Sequence, residues 1–527
     1  MTTKNFNQNI ELKQLLEKTD LSDGQSIERY ALHLEGMTFR DVLDLDIRPD
    51  DNNENDYADS KYLNHPNNKG ILGITLEERY FGYKANSRDE PDFAEAGVEL
   101  KTTCLDPANR RTKHIHAGEP LSLTMISYEE IEEEFTESNL WKKCRKILLV
   151  YYLRDKNLSD KKFDQQIMFV RMLDLTRPEF ASELKTIQGD YRKIATKVLA
   201  GQADKLTEAE GMYLCAKTKG ESRNSIKQYS VTDENGNEVR CEAPSRGFYF
   251  TKTFLNRLFQ EHDLSIQVQT EPVFEEETLE EHYQRLVEPH IGKTDRELCE
   301  EFNVEYTPKN RKSMWSSLAL HMLGATSNRA ENLVMDAISV RAIRIKKSGN
   351  IKEHLSLDQF EFKDLINEKS WNESTLRKIL DSTKFFFVVF KEATDEEYLL
   401  KGCCFWNMPA DDIDGPAKEC WERTRDVVKN GVKIEQQFNA DGTPKLSKKG
   451  KPVFRNNLPK STDNACVHVR PHAQESFYDF GNGFVVGHNR ADASELPDGT
   501  GRWMLKQSFW LNNTYVLRVL KNELGNI

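Results

Sequence analysis

The sequence predicts an α/β protein with two related domains in tandem. Strand-length apolar runs at residues 97–103, 146–152, 167–173 and 384–390 are separated by stretches with helical periodicity. Segments from the two halves of the chain can also be aligned in the same order, and this order indicates an internal duplication.

Three pairs of segments carry the duplication. The pairs are YLCAKTKGES with VHVRPHAQES, SRGFYFTKTFL with QSFWLNNTYV, and RKILLVYY with TKFFFVVF, at residues 213–222 and 467–476, 245–255 and 507–516, and 145–152 and 383–390. Any one pair can arise from the general similarity of apolar strands. Three pairs in the same order favour duplication.

Composition suggests the domain boundaries. ELKQLLEKTDL near the N-terminus is predicted to be helical, and residues 48–68 are polar, acidic and rich in turn formers. Residues 271–286 are acidic and are expected to form a solvated helix face. We predict an N-terminal helical segment with an acidic linker, a first domain, an acidic connector and a second domain, at residues 1–68, 69–270, 271–294 and 295–527.

The bulk composition indicates a soluble, cytoplasmic protein without a membrane partner. The mean hydropathy is −0.70, and the 527 residues contain neither a long apolar run nor an apolar signal-peptide core at the N-terminus. Nine scattered cysteines without a CxxC pair are expected to be free thiols in a reducing compartment. The net charge of −12 argues mildly against a generic nucleic-acid binder, but a basic binding face can coexist with acidic surfaces elsewhere.

The segment EPDFAEAGVELKTT contains the residues that point to chemistry. Positions two apart in a strand lie on one face, so Glu99 and Lys101 are expected to project together, with Asp92 at a preceding turn. This is the PD…ExK arrangement of many nucleases. In a chain this rich in charge the pattern also arises by accident, as a surface strand with a Glu/Lys pair.

Paired carboxylates beside a lysine suit phosphodiester hydrolysis. Two close carboxylates bind Mg²⁺, and the metal polarises a phosphate and activates a water. Lys101 is positioned to hold that water and to stabilise developing negative charge. Glu77, in the helical run GITLEERYFG, is a further candidate carboxylate, with Glu78 as the alternative.

The longer combination of motifs resembles a known family, the MutH-like endonucleases, and within it the Sau-three-A type of restriction enzyme that cuts at GATC. The resemblance lies in KGILGITLE, PDFAEAGVELKTT, SRGFYFTKTF, CVHVRPH and MLKQSFWLNN, at residues 69–77, 91–103, 245–254, 466–472 and 504–513. It implies a mixed sheet flanked by helices, Mg²⁺ as cofactor and double-stranded DNA as substrate. In the Sau-three-A type, a degenerate second domain follows an active MutH-like domain.

The resemblance assigns the catalytic set residue by residue. Asp92, Glu99 and Lys101 match the family's metal-binding and catalytic residues, and Glu77 matches its additional carboxylate. One extra residue lies between Glu77 and Asp92 here, so Glu78 remains an alternative.

Residues near the DNA are also implied by the resemblance. Lys143 matches a lysine near the scissile phosphate, with Lys142 as the alternative, and Tyr249 matches an aromatic residue tied to sensing adenine methylation. Core packing is the other interpretation of Tyr249, and nonspecific phosphate contact is the other interpretation of the lysines. The predicted DNA-binding set is Lys217, Lys219, Arg246, Tyr249, Lys252, His468, Arg470, His472 and Lys506.

The second half lacks the catalytic residues. Ser339 stands in place of Glu99, Arg341 in place of Lys101 and Asp381 in place of Lys143, while Ala319 or Leu320 stands where Glu77 would be. CVHVRPH keeps an arginine that suits guanine or phosphate, and it matches the family's recognition arginine better than the first half does. We predict a second domain that binds DNA without cutting it and acts as an effector or tether.

The sequence therefore predicts a type II restriction endonuclease that cuts double-stranded DNA at GATC. A mismatch-repair nickase and a non-catalytic GATC-binding regulator are the alternatives. We expect a monomer in free solution, because the duplication already supplies two DNA-binding units; a dimer on DNA and two sites bound at once are the further expectations.

Overall fold

A computed structural model gives the fold. It describes the chain except for residues 1–10, 46–69, 84–89, 108–114, 156–157, 159–161, 220–224, 234, 261–276, 307–310, 325–337, 395–396, 448–449, 474 and 526. The predicted acidic linker at 48–68 and the start of the predicted connector at 271–276 lie outside the described residues. All nine cysteines are free thiols, as predicted. Among the described residues, no helix has the length and apolar content needed to cross a membrane.

The chain divides into two compact units, with the main division between His282 and Tyr283. Unit 1 contains residues 1–206, 210–282 and 325–337, and unit 2 contains the remainder. Both units combine sheets with flanking helices, which confirms the predicted α/β class.

Unit 1 begins with short helices and continues through two sheets. Its helices are α1 (Gly24–Ala31), α2 (Phe39–Leu43), α3 (Ile71–Thr75), α4 (Asn139–Cys144), α5 (Ala181–Leu199) and α6 (Lys252–Gln260), and a π-helix at Leu76–Tyr80 follows α3 directly. Its strands are β1 (Glu99–Asp106), β2 (His116–Ala117), β3 (Leu121–Met125), β4 (Lys146–Leu153), β5 (Gln166–Asp174), β6 (Leu214–Thr218), β7 (Ile226–Thr232), β8 (Glu238–Pro244) and β9 (Arg246–Phe250).

The main sheet of unit 1 is mixed and has the order β2-β1-β4-β5. β1 runs parallel to β4, and β4 runs antiparallel to β5. The central strand β4 is buried from Ile147 to Tyr151, because both faces of the sheet are covered. A second sheet has the order β3-β9-β6, and β7 pairs with β8 in a hairpin.

The N-terminal helices belong to the core of unit 1. Ile27 and Tyr30 on α1 and Phe39 and Val42 on α2 join the same apolar cluster as Leu148 on β4. The spacing on α1 is that of one apolar helix face. A capping box at Thr38 and Asp41 starts α2. The predicted N-terminal helical segment is therefore helical, and in the structure it packs with the first domain.

Unit 2 contains helices and strands in a similar order. Helix α7 (Leu279–Val287) spans the division, and the others are α8 (Asp295–Glu301), α9 (Arg311–Met322), α10 (Phe362–Asn367), α11 (Thr375–Ser382), α12 (Lys418–Lys429) and α13 (Asn513–Leu524). Its strands are β10 (Ile338–Ile345), β11 (Leu355–Phe360), β12 (Lys384–Thr394), β13 (Glu397–Asn407), β14 (Ile434–Gln436), β15 (Phe454–Asn456), β16 (Val467–Pro471), β17 (Tyr478–Asp479), β18 (Val485–Val486), β19 (Ala493–Glu495), β20 (Trp503–Leu505) and β21 (Gln507–Leu511).

The main sheets of the two units share strand order and direction. In unit 2, β10 runs parallel to β12, and β12 runs antiparallel to β13, as β1, β4 and β5 do in unit 1. A second sheet of order β11-β21-β16 corresponds to β3-β9-β6. The three pairs of segments aligned by sequence occupy β6 and β16, β9 and β21, and β4 and β12, so each pair has the same place in its unit.

Candidate functional site

Strand β1 presents the central pair of the candidate active site. Glu99 is 4% exposed, and its Oε1 lies 2.6 Å from Nζ of Lys101 two residues later. The two side chains share a face because strand positions alternate between faces. The parallel partner β4 fixes this position, since Glu99 is paired with Ile147 and Lys101 with Leu149.

A tight turn brings Asp92 back to the start of β1. Phe93 and Val98 exchange both backbone hydrogen bonds, and Gly97 has a φ of +65°, which favours glycine. Oδ2 of Asp92 accepts a hydrogen bond of 2.8 Å from the backbone N–H of Leu100. The aspartate is therefore held at the end of the strand that carries Glu99, as the PD…ExK pattern predicted.

Lys143 supplies a second cation to Glu99. It lies near the end of α4, and its Nζ is 3.2 Å from Oε2 of Glu99 and donates to the carbonyl of Glu90 at 2.6 Å. Lys142 is exposed and donates to Oδ1 of Asn139 instead. Of the two lysines left open by the sequence, the structure brings Lys143 to Glu99.

The π-helix brings Glu77 to the same region. Burial, and then the negative charge of Asp92, raises the pKa of Glu77 to about 7; Lys101 acts in the opposite direction. Glu78 is buried beside it in the same turn. The pKa of Asp92 is raised by burial and by Glu99. The charges of Asp92 and Glu99 act on Glu77, so its carboxyl group lies near these two residues.

The carboxylates of the site suit a divalent cation, although they do not converge on one common position. In the described part of the chain, no three His, Cys, Asp or Glu side chains stand in metal-binding geometry. Both oxygens of Glu99 are engaged by lysines, and one oxygen of Asp92 by a backbone N–H. Carboxylates that raise each other's pKa are nevertheless the hard oxygen ligands that Mg²⁺ takes.

The second sheet of unit 1 carries the predicted DNA-facing lysines. Lys217 on β6 is half-buried and is paired with Gly247 on β9. Partial burial and the positive charge of Lys101 lower the pKa of Lys219, so this lysine lies near the active-site face. Tyr249 is half-buried on β9 between Ser122 and Cys215.

A buried aspartate that the sequence analysis did not single out holds the start of β6. Oδ2 of Asp190, on α5, accepts hydrogen bonds from the backbone N–H groups of Met212, Tyr213 and Leu214 at 2.7 to 3.0 Å. A Cβ at Gly211 would come within 2.6 Å of Cγ of Asp190. The strand that carries Lys217 is therefore positioned by a side chain of the interior. A lone Asp on an amphipathic helix gave no signal of this role.

The comparisons with known proteins agree with this geometry. Residues 81–193 match the family described as DNA mismatch repair enzyme MutH. This part of the chain is similar to the MutH family. It is also 28% identical over 471 residues to the type II restriction enzyme Sau3AI of Staphylococcus aureus, a match that covers 85% of this chain and 91% of that enzyme.

Two further relatives cover only part of the chain. The DNA mismatch repair protein MutH of Shewanella woodyi is 27% identical over 203 residues, which is 36% of this chain and 78% of that protein. The MutH of Shewanella sp. strain MR-7 is 25% identical over 258 residues, which is 47% of this chain and 96% of that protein. The MutH-family match at 81–193 includes Asp92, Glu99, Lys101 and Lys143, and Glu77 lies just before it.

Arg246 was predicted to bind DNA, and the structure contradicts this. It is 1% exposed and donates to the carbonyls of Ala216 at 3.0 Å and Leu206 at 2.6 Å. Its place next to β6 makes it a structural residue, because a buried guanidinium cannot reach a phosphate. Lys252, the first residue of α6, is half-buried.

The corresponding positions of unit 2 hold no catalytic pair. Ser339 and Arg341 on β10 are paired with Phe385 and Phe387 on β12, in the register that Glu99 and Lys101 have in unit 1. Asp381 is buried and lies 3.2 Å from Arg377. Ala319 and Leu320 fall on α9. The scaffold is present, but the carboxylates are absent from these positions.

The residues of unit 2 that were predicted to face DNA from β16 differ in their exposure. Arg470 is exposed and lies over the ring of Trp510, with 4.7 Å from Cζ to the ring centroid. His472 packs on the same ring and is exposed. His468 is 4% exposed, its Nδ1 lies 2.6 Å from Oδ1 of Asn512, and burial lowers its pKa to about 4.

One prediction for unit 2 is therefore corrected. His468 cannot contact DNA, because it is buried in β16 and held by Asn512. Lys506 is half-buried and pairs with Glu361 at 2.5 Å. Arg470 and His472 are the exposed residues of the HxRxH trio.

Proposed function

We propose that the chain is a type II restriction endonuclease that makes Mg²⁺-dependent double-strand cuts in DNA at GATC. The observation that carries the proposal is the position of Glu99 between two lysines, with Asp92 and Glu77 beside it. The match to Sau3AI along 85% of the chain supports a restriction enzyme, since the MutH proteins named above match less than half of it.

Each residue of the site has its own role in phosphodiester hydrolysis. Asp92, Glu99 and Glu77 would hold Mg²⁺ through carboxylate oxygens, and the bound ion supplies a polarised phosphate and a more acidic water. Lys101 lies where it can hold the attacking water and stabilise negative charge as it develops. Lys143 adds a second positive charge on the far oxygen of Glu99 and neutralises the phosphate.

Unit 1 also supplies the groups that we assign to recognition. Lys219 lies near Lys101, so a duplex in the active site passes close to both ammonium groups. Lys217 and Tyr249 lie on neighbouring strands of the second sheet and are half-buried. We assign Lys217 and Lys219 to DNA contact and Tyr249 to sensing of adenine methylation within the site.

We further propose that unit 2 is a degenerate copy that binds DNA without cutting it and acts as an effector. The shared strand order of the sheets supports the duplication. Ser339 and Arg341 in place of the catalytic pair support the loss of cleavage. Arg470, exposed on β16, supports retained DNA contact, because arginine is the usual bidentate partner of guanine or phosphate.

The test is cleavage of unmethylated plasmid carrying several GATC sites, with Mg²⁺ and then with EDTA. We expect a Mg²⁺-dependent ladder of fragments with ends at GATC. Nicked circles alone would indicate a mismatch-repair nickase, and tight GATC binding without cleavage would indicate a regulator. Plasmids with one and two sites test the effector: we expect faster cutting of the two-site plasmid by the wild type and equal rates for Arg470→Ala.

A further inference from the structure

Unit 2 contains a hairpin that has no counterpart in unit 1. Residues 430–466 connect α12 to β16, whereas residues 200–213 make the corresponding connection from α5 to β6. The insertion forms the antiparallel pair of β14 and β15, in which Ile434 faces Asn456 and Gln436 faces Phe454. We call residues 433–456 the unit 2 hairpin.

The unit 2 hairpin is positively charged within an acidic chain. The run KLSKKGKPVFR at 445–455 contains lysines and an arginine but no acid, although the whole chain has a net charge of −12. Lys433, Lys445 and Arg455 are exposed, and none forms an ion pair with another described residue. Free positive charge on an exposed hairpin attracts a polyanion.

A second group of cations lies beside the hairpin. Burial and the positive charge of Arg455 lower the pKa of Lys460, and Arg423 adds to this effect. Two acids lie in this group: Asp463 is 3.4 Å from Arg423, and Glu435 stands opposite Arg455 in the pair of β14 and β15. Cations that repel one another without enough carboxylate to balance them are stabilised when phosphate groups bind among them.

The same hairpin exposes two apolar side chains. Phe438 is 58% exposed and Leu446 is 55% exposed. Apolar groups surrounded by cations match the edge of a duplex, where phosphates alternate with sugars and groove walls. A strongly anionic protein or a free phosphate offers no such apolar edge.

We propose that the unit 2 hairpin binds the sugar–phosphate backbone of the duplex beside the site read by β16. The inference rests on the proposed function of unit 2 and adds a surface to it. Lys433, Lys445 and Arg455 contact phosphates, while Phe438 and Leu446 lie against the sugars. The surface strengthens binding to any sequence that flanks the site and carries no sequence preference of its own.

The salt dependence of binding tests the hairpin. We would use the full chain with Asp92→Asn to prevent cleavage, a labelled GATC duplex and fluorescence anisotropy at a series of salt concentrations. The test variant is Lys433→Gln/Lys445→Gln/Arg455→Gln. Each lost phosphate contact lowers the slope of log Kd against log salt by about 0.9, so we expect a decrease of roughly 2 to 3.

The control removes the same charge from elsewhere in unit 2, with Lys378→Gln/Lys401→Gln/Lys521→Gln, since all three lysines are exposed. Its slope should equal that of the unsubstituted chain. An unchanged slope in the hairpin variant, or an equal decrease in the control, would overturn the hairpin inference. Lost binding to anionic vesicles with the DNA slope retained would overturn it in favour of a lipid surface. Failure of the unsubstituted chain to bind the duplex would instead overturn the proposed function.

A separate observation concerns Tyr83, next to the catalytic carboxylates. Its backbone N–H donates to the carbonyl of Glu77 at 3.1 Å, and its ring packs edge-on against Phe93, 5.3 Å between centroids. The hydroxyl oxygen is shielded from solvent and has no hydrogen-bond partner among the described residues. A tyrosine hydroxyl is a neutral donor in its ordinary state, and the charges of Asp92, Glu77 and Glu99 act on this one.

A buried donor without an acceptor destabilises the fold by about 1–3 kcal/mol, so its retention beside three carboxylates needs a reason. We infer that Tyr83 is a positioning residue that donates its O–H to a water or carboxylate oxygen of the metal-loaded site. The inference rests on the proposed metal-dependent function. The hydroxyl orders the ligands of the ion and takes no part in bond breaking.

Tyr83→Phe removes the hydroxyl and keeps the ring. Partners of metal ligands typically change metal affinity about 10-fold or more. We therefore expect at least that loss in Mn²⁺ affinity, measured by electron paramagnetic resonance without DNA, and an unchanged or higher Tm of the metal-free protein. The matched control is Tyr80→Phe in the same turn, whose hydroxyl donates to the carbonyl of Tyr30 at 2.8 Å.

Tyr80→Phe should lower the Tm and leave Mn²⁺ affinity unchanged, because its hydroxyl belongs to the core. Equal Mn²⁺ affinity of Tyr83→Phe and the wild type would overturn the inference. A wild-type protein that binds no Mn²⁺ would overturn the proposed metal-dependent function instead.

Discussion

Oε1 of Glu99 and Nζ of Lys101 lie 2.6 Å apart on one face of β1. The carboxylate is almost fully buried, so the lysine neutralises a charge that water cannot reach. If the proposed function is correct, a bound divalent cation would neutralise Glu99 in place of Lys101, and the ammonium group would be free to face the substrate. Lys101 would then compete with the metal for Glu99 in the absence of DNA.

Lys101→Met should separate these two roles. We expect cleavage to fall by on the order of 10²–10³ or more, because a positive charge near the reacting phosphate is lost. Mg²⁺ affinity without DNA should rise several-fold, because the competing cation is gone. Single-turnover cleavage and isothermal titration measure the two effects. A weaker affinity for Mg²⁺ would show that Lys101 does not compete with the ion.

Lys143→Ala should reduce the rate of cleavage on the order of 10²-fold, since its Nζ is one of two cations on Glu99. Lys142→Ala should cleave like the wild type, because Lys142 is exposed and bonds only to Asn139 among the described side chains. Single-turnover rates at saturating protein compare the pair. If the two variants lost activity equally, the assignment of Lys143 would be wrong.

Mg²⁺ binding should depend on pH through Glu77. Its pKa of about 7 lies above its ordinary value, so the carboxyl is protonated in the folded state below about pH 7 and must lose that proton to bind the ion. Mg²⁺ affinity should therefore fall as the pH drops from 7.5 to 6. Isothermal titration across this range should show a flatter profile for Glu77→Gln than for Glu78→Gln.

The raised pKa of Glu77 also makes the stability of the metal-free protein depend on pH. Because the folded form holds its proton more tightly than the unfolded form, stability decreases as the pH rises from the ordinary value of Glu77 toward about 7, and the loss persists above it. Metal-free Glu77→Gln should consequently be more stable than the wild type at pH 8, by on the order of 1–2 kcal/mol. Urea unfolding in EDTA measures this, and a less stable variant would contradict it.

Arg246→Ala should destabilise unit 1 by about 2–4 kcal/mol, because two buried carbonyls lose their donor. Lys219→Ala should leave stability within about 0.5 kcal/mol and weaken DNA binding. Urea unfolding and anisotropy with a GATC duplex would be measured for both variants. If Arg246→Ala were as stable as the wild type but bound DNA poorly, Arg246 would be a DNA-binding residue.

Arg470→Ala should weaken binding to a GATC duplex by about 1–3 kcal/mol in the Asp92→Asn background, since a guanidinium is lost from the exposed face of β16. His468→Ala should instead lower the Tm, because the imidazole is buried against Asn512. Thermal unfolding and anisotropy distinguish the two. Loss of binding by His468→Ala with an unchanged Tm would contradict its structural assignment.

Local periodicity was enough to predict the strands and the central pair. The alternation in GVELKTT places Glu99 and Lys101 together, and the apolar runs at 146–152 and 384–390 became the central strands β4 and β12. These features depend on neighbours along the chain. The class of the fold followed for the same reason.

The main error of the sequence-based prediction was to assign buried polar residues to DNA binding. Arg246 shares its face of β9 with Phe248 and Phe250, so strand periodicity already placed it on a buried face. The prediction followed the family motif SRGFYFTKTF instead of this periodicity. His468 offered no such warning, because it shares its face of β16 with the exposed Arg470 and is buried like its neighbours Val467 and Val469.

The residues that depend on distant contacts could not be predicted. Tyr83 meets the carboxylates only because the π-helix and the Asp92 turn converge. The choice between Lys142 and Lys143 needed the rotation of α4, which is fixed at its start by the hydrogen bond that the N–H of Trp141 donates to Oγ of Ser138.

Asp190 accepts hydrogen bonds from three consecutive backbone N–H groups, and this has a consequence for mutagenesis. A Cβ at Gly211 would come within 2.0 Å of the carbonyl oxygen of Leu214 and 2.6 Å of Cγ of Asp190, so neither Asp190 nor Gly211 tolerates substitution. Null alleles isolated by random mutagenesis should therefore recur at these two codons, far from any base or phosphate. Suppressors should be rare, because no second substitution restores both the acceptor and the space.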